Sequence, residues 1–344
     1  MREFIRRKNI SLSFQVYFVD ALSAMALGLF STLIIGLIIK TIGDQSILWL
    51  GVNGISLSLI QLGKTAMGLM GAGIGVAMAY RLKADPLIIF SAVVTGSLGA
   101  SLGGPAGAYV AALFSIEVGK LVSKETQLDI LVTPFVTLVV GLVVSQAISP
   151  LIAQFMTFLG QIIIVATQQQ PFIMGIIVAV VMGWVLTAPI SSAALGIMLN
   201  LSGLAAGAAT VGCAAQMIGF AVMGYKDNKV SGLVSVGLGT SMLQIPNIVK
   251  NPWLLLPPTL AGALLGPVST LIFKMTNIAS GSGMGTSGLV GQITTLTDMG
   301  FSSSTYVAII LLHFILPASI AYCAYFGLVK TGKIKPGDLK LDQA

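Results

Sequence analysis

Tyr17-Phe-Val-Asp-Ala-Leu-Ser-Ala-Met-Ala-Leu-Gly-Leu-Phe-Ser-Thr-Leu-Ile-Ile-Gly-Leu-Ile-Ile-Lys40 carries nothing charged between Asp20 and its terminal lysine. A helix over this stretch is about 36 Å long, enough to cross a hydrocarbon layer of roughly 30 Å. Arg2, Arg6, Arg7 and Lys8 stand ahead of it. A secretory leader has a shorter apolar core followed by a small-residue cleavage site; with neither feature here, the stretch reads as a retained first membrane helix.

Runs of the same character recur at 47–80, 86–119, 127–148, 150–167, 171–188, 190–201, 203–224, 231–249, 253–277 and 304–329. Of 344 residues 56% are hydrophobic and 8% charged, against roughly 25% charged in a soluble domain; the mean hydropathy is +0.97. Too few charges exist to cover a water-facing surface, so lipid is the solvent for most of the chain. In hydrocarbon every backbone N–H and C=O must be paired internally, which leaves helices or closed barrels. Barrel strands alternate polarity over about 10 residues, whereas these runs are continuous. The expected fold is an all-α polytopic membrane protein, a single transmembrane domain over 1–344. We expect about 10 transmembrane helices with one or two re-entrant hairpins, because Gln61 and Lys64 interrupt 47–80 and Gly103-Gly104-Pro105 interrupts 86–119. The segment from Ile148 to Gln170, bracketed by Pro150 and Pro171, reads equally as an interfacial helix or a span.

The net charge is +7, and its placement matters more than its size. Lys330, Lys333, Lys335 and Lys340 follow the last run. The positive-inside rule then puts both termini in the cytoplasm of a bacterial inner membrane, with 330–344 a short cytoplasmic tail. No basic face interleaved with aromatics occurs, which excludes nucleic acid as a partner. Cys213 and Cys323 lie in apolar runs, and one histidine, His313, cannot build a metal centre. No cofactor, metal or catalytic constellation is expected.

The halves echo each other. Gly73-Ile-Gly75, Asp85-Pro86 and Gly96 correspond to Gly237-Leu-Gly239, Asn251-Pro252 and Gly262, followed by Gly104-Pro105 and Gly266-Pro267. Repeat halves over about 17–125 and 188–277 fit a recurrent transporter design in which a solute site lies at mid-membrane.

Polar groups at membrane depth are expensive unless paired or wetted, so they nominate the site. Ala279-Ser-Gly-Ser-Gly-Met-Gly-Thr-Ser-Gly-Leu-Val-Gly-Gln292 holds five glycines and four hydroxyl residues between two apolar runs. It reads as a re-entrant loop lining a cavity, with Ser282, Gly283, Gly285, Thr286, Ser287, Gly288 and Gln292 as candidate solute contacts. Thr187-Ala-Pro-Ile-Ser191-Ser192, Gln244-Ile-Pro-Asn247 and Asn53 are further interruptions able to line the same cavity. Lys64 either faces an anionic group of the solute or pairs with an acid such as Asp20. Asp20 and Glu117 read as interfacial.

The opening from Ser11 to Gly28, the break at Ala188-Pro189-Ile-Ser-Ser192 and the glycine-rich stretch resemble the enzyme IIC-like membrane proteins of the phosphotransferase system, over nearly the whole chain. The resemblance implies a homodimeric sugar permease with an elevator-like movement, whose bound sugar is phosphorylated by an enzyme IIB partner supplied by enzyme IIA. Sugar permeases of that system commonly carry a glutamate in a Gly-Ile-Thr-Glu-type motif. Gly285-Thr286-Ser287-Gly288 has no carboxylate, which leaves open a secondary transporter or exporter of the same architecture, or a non-transporting sensor.

Overall fold

The computed structural model describes residues 2–10 and 13–341; Ser11 and Leu12 of the opening motif and 342–344 of the tail lie outside the described residues. The chain divides into two compact units, Met1–Phe155 and Met156–Ala344. Among the described residues there is no strand, only one isolated antiparallel bridge between Gly203 and Asn277. Six helices among the described residues are long and apolar enough to cross a membrane, or seven if the bent pair Gly54–Gly68 and Met70–Arg81 counts as one span.

In the first unit a short helix α1 (Arg2–Arg7) precedes α2 (Val16–Ile47), which turns at Gly51 and returns as α3 (Gly54–Gly68) and α4 (Met70–Arg81), bent by 51°. Small residues let the two limbs close together: Gly28 faces Gly73, Gly36 faces Gly63, and Ser46 Oγ donates to Ser56 Oγ at 2.7 Å. Helix α5 (Pro86–Val122) folds back on itself. Gly103 and Gly104 leave helical geometry, Gly104 with φ +59°, and Pro105 begins the return arm. Ser115 Oγ donates to Thr95 Oγ1 at 2.9 Å across the arms, and Ser123 Oγ to Asp85 Oδ2 at 2.8 Å where they end. Each arm is about 26 Å long, so the interruption expected at Gly103-Gly104-Pro105 makes a hairpin of what length alone counts as one span. Helix α6 (Asp129–Thr167), whose residues from Met156 on belong to the second unit, packs Thr137 against Gly119 and Gly141 against Thr95. It runs unbroken through Pro150, where two runs had been expected. In lipid the alternative to a helix is unpaired backbone, which outweighs one missing N–H.

The second unit is built around α9 (Gly203–Met223), 89% buried over its apolar window against 17% to 50% for the other candidate spans. Helix α7 (Pro171–Thr187) runs alongside it in the same direction: Cys213 Sγ donates to the Met182 carbonyl at 3.4 Å, and Thr187 lies opposite Gln216. Helix α12 (Pro252–Ile272) runs the other way, with Thr259 beside Gln216 and Thr270 Oγ1 donating to the Pro171 carbonyl. Helix α14 (Ser303–Lys330) joins through a cluster of Val211, Leu265, Ala308 and Leu312. Lys226, Lys229, Lys250 and the tail lysines gather at the carboxyl end of α9, around Asn228 and Asn251. The echoed Gly-Pro pairs do not fold alike: Gly104-Pro105 reverses the chain, whereas Gly266-Pro267 sits within α12.

Candidate functional site

Three broken segments of the second unit converge on the middle of α9. The first follows α7, whose chain turns after Thr187 and returns as α8 (Ser192–Met198) towards the amino end of α9. Ser191 caps that short helix by accepting from the Ala194 amide at 3.2 Å. The second is the glycine-rich stretch. It leaves the amino end at Asn277, makes one helical turn at Ala279–Ser282, and returns as α13 (Val290–Met299). Its tip, Gly285, lies against the backbone of Cys213 and Ala214, halfway along α9. The third enters from the carboxyl end as α10 (Tyr225–Val234), turns through Ser235–Gly239 and Ser241–Gln244, and leaves as α11 (Ile245–Lys250).

Hydroxyl groups join the tips. Ser192 Oγ donates to the Gly283 carbonyl at 2.6 Å, the Thr286 hydroxyl donates to the Gly237 carbonyl, and Thr187 Oγ1 lies 2.9 Å from Ser241 Oγ. The Thr187 hydroxyl also donates to Gln216 Oε1, and Gln216 Nε2 to Thr259 Oγ1, which accepts Trp184 Nε1–H at 2.8 Å. Thr187, Ser192, Ser282, Thr286, Ser287 and Gln292 are all buried. Ser287 Oγ, Gln292 Oε1 and His313 Nε2 are buried with no hydrogen-bond partner, while Gln292 Nε2 sits 2.9 Å from His313 Nδ1. Unspent polar groups of this kind are rare in a folded interior and call for a partner, a polar guest or water being the natural ones. Among the described residues the one buried charged side chain is Lys120, in the first unit.

Ten of the fourteen sequence candidates therefore lie on the α7–α8 turn and the glycine-rich hairpin: Thr187, Ser191, Ser192, Ser282, Gly283, Gly285, Thr286, Ser287, Gly288 and Gln292. Gln244 and Asn247 sit on the third segment, but their amides turn to the C-terminal tail. Asn53 and Lys64 belong to the first unit. Asn53 caps α3 by accepting from the Ser56 amide at 2.9 Å, and Lys64 is exposed. Asp20, weighed as a partner for Lys64, pairs with Arg81 at 3.2 Å instead. Sequence reasoning passed over Gln216, Ser241 and Asn277. Gln216 was readable as a lone amide in an apolar run. Asn277, fully buried, donates to Thr210, the Gly291 carbonyl and Thr295 and pins the base of the hairpin.

Fold and site together define a polytopic helical membrane protein whose second unit buries polar side chains between broken helical segments. The family described as "Phosphotransferase system, EIIC" matches residues 19–341, nearly the whole chain, and the chain belongs to it. It is a membrane transport component of the phosphotransferase system. No curated protein and no solved structure matches it.

Proposed function

We propose that the chain is a permease that binds a small polar solute, a sugar or sugar-like molecule, where the three broken segments meet, and carries it across a bacterial inner membrane. One observation carries this reading: the glycine-rich tip abuts Cys213 at mid-helix, among buried hydroxyl and amide groups whose hydrogen-bonding capacity is partly unspent. Broken helices present partial charges and free backbone groups to a solute without a full ionic charge. In this reading the hairpins bring the traverses of the membrane to about 10, both termini are cytoplasmic by the positive-inside rule, and two copies associate through their apolar faces. An elevator-like displacement moves the solute, and an enzyme IIB partner, recharged by enzyme IIA, phosphorylates it.

The Gly285-Thr286-Ser287-Gly288 tip lacks a carboxylate, which favours, as the second reading, a transporter of the same architecture uncoupled from phosphorylation. Binding is tested first, by a thermal-shift screen of purified protein against sugars, sugar phosphates, organic acids and vitamins. A hit abolished by Thr286→Val but not by Asn53→Ala supports the mid-helix site; a hit indifferent to Thr286→Val overturns it.

A further inference from the structure

Residues 331–341 follow the last span and fold back over the basic end of the second unit. Asn228 Nδ2 and Gln244 Nε2 both donate to the Leu339 carbonyl, at 2.8 and 3.0 Å, and Asn247 Nδ2 donates to the Lys340 carbonyl at 3.0 Å. The Leu341 amide donates to Asn228 Oδ1, and Asn251 Nδ2 donates to the Lys333 carbonyl and to Asp338 Oδ2. Ile334 and Leu339 are each 1% exposed. All four amide side chains come from the segment 228–251, whose turn carries Gly237 and Ser241. Gln244 shares a single 3-10 turn with Ser241, and Ser241 meets Thr187. One helical turn therefore separates the grip on the tail from the candidate solute chamber.

We propose that residues 333–341 are a latch on the carboxyl-end mouth of this unit, with Gln244 as the positioning residue. While the tail holds Asn228, Gln244, Asn247 and Asn251, the turn at 237–244 stays docked on Thr187 and Thr286 and the chamber is closed from that side. When the tail leaves, its grip being hydrogen bonds and two apolar side chains rather than a covalent link, the segment 235–250 swings out and the chamber opens. Spending amide side chains on the backbone of an irregular segment satisfies groups that a lipid-facing or buried loop would otherwise leave unpaired. The proposal rests on the chamber of the permease reading but on no particular solute, and labelling rates test the tail's role separately from transport.

The test uses the full chain in nanodiscs, with Cys213→Ala and Cys323→Ser, carrying either Ser241→Cys or, as control, Ser269→Cys in α12, buried but outside the candidate site. The probe is a water-soluble maleimide. Ending the chain after Gly332, or introducing Gln244→Leu, is expected to speed labelling at 241 at least tenfold and leave labelling at 269 unchanged. An unchanged rate at 241 overturns the latch. So does equal acceleration at both positions, which makes the tail a general brace. If the shortened chain does not fold, Asn247→Ala with Asn251→Ala in the full chain decides by the same two rates.

Discussion

A Cβ on Gly285 would lie 2.7 Å from the Cys213 carbonyl carbon and 2.8 Å from the Ala214 nitrogen, and the residue has φ +52°. Backbone has no rotamer to yield, so even Gly285→Ala is expected to cost about 1–3 kcal/mol, and Gly285→Leu to abolish transport. Gly327, with nothing within 4 Å of its Cβ position, supplies the contrast. Gly327→Ala in α14 is expected to leave the melting temperature unchanged or raise it, by up to about 1 kcal/mol of stability; similar losses at 285 and 327 would remove the tip from the packed centre. Lys64→Gln is expected to change neither stability nor solute binding, since the side chain is exposed in the first unit; a selective loss of binding would restore it as a solute contact. Residue chemistry was legible where it is forced by cost. Hydroxyls and glycines at 279–292 could not face lipid, so the sequence marked them. Asn53 and Lys64 were polar for local reasons, a helix cap and an exposed face, which residue type alone does not separate from a site.

At the scale of elements, glycine and proline announced breaks but not what the chain does after them. Gly103-Gly104-Pro105 breaks α5 and Pro150 leaves α6 continuous, because only the first has a residue at φ +59° and a partner arm to pack against. The tail reads in sequence only as a short polar segment, yet its polar backbone is claimed by asparagines and a glutamine far away in sequence, which no periodicity displays. The loops of the first unit carry a pH dependence. Burial pushes the Asp85 carboxyl up, but hydrogen bonds from Lys124 and Ser123, with the Lys124 and Lys8 charges, outweigh it and hold the group below its ordinary value. Glu125 is held down by the hydrogen bond from Lys8, against some desolvation, and by the Arg7 charge. A depressed carboxylate contributes stability that is complete above its unfolded pKa of about 4 and lost as pH falls through the lower folded value. Docking of α1 against the 123–125 loop is therefore expected to hold at pH 6 and loosen from about pH 4 downward. Hydrogen exchange of residues 2–10, corrected for intrinsic rates, reads this; protection unchanged down to pH 3 would detach α1 from these pairs.

At the scale of the whole molecule, the distribution of charge separates the rival couplings. A proton- or sodium-driven transporter needs a group near the solute that changes charge or holds the ion, and carboxylates serve that role in membrane interiors. Among the described residues of the second unit no Asp or Glu is buried: Asp227 and Asp338 hold the tail at the basic end, and Asp298 is exposed. The interior of that unit offers hydroxyls, amides and His313. That interior has hydroxyls and amides suited to a polar solute but little with which to couple it to an ion gradient, and under the proposed permease reading energy enters as a phosphoryl group from a separate polypeptide. Vesicles containing the purified chain alone are therefore expected to let a bound solute equilibrate and never to concentrate it, whether the imposed gradient is of protons or of sodium. Adding the phosphoryl-donating partners and a phosphoryl source is expected to trap the solute inside as its phosphate. Accumulation on a gradient alone would move the coupling to a charged group outside this interior, the half-buried Glu117 beside the buried Lys120 in the first unit being the pair available, and Glu117→Gln would then abolish the accumulation while sparing equilibration.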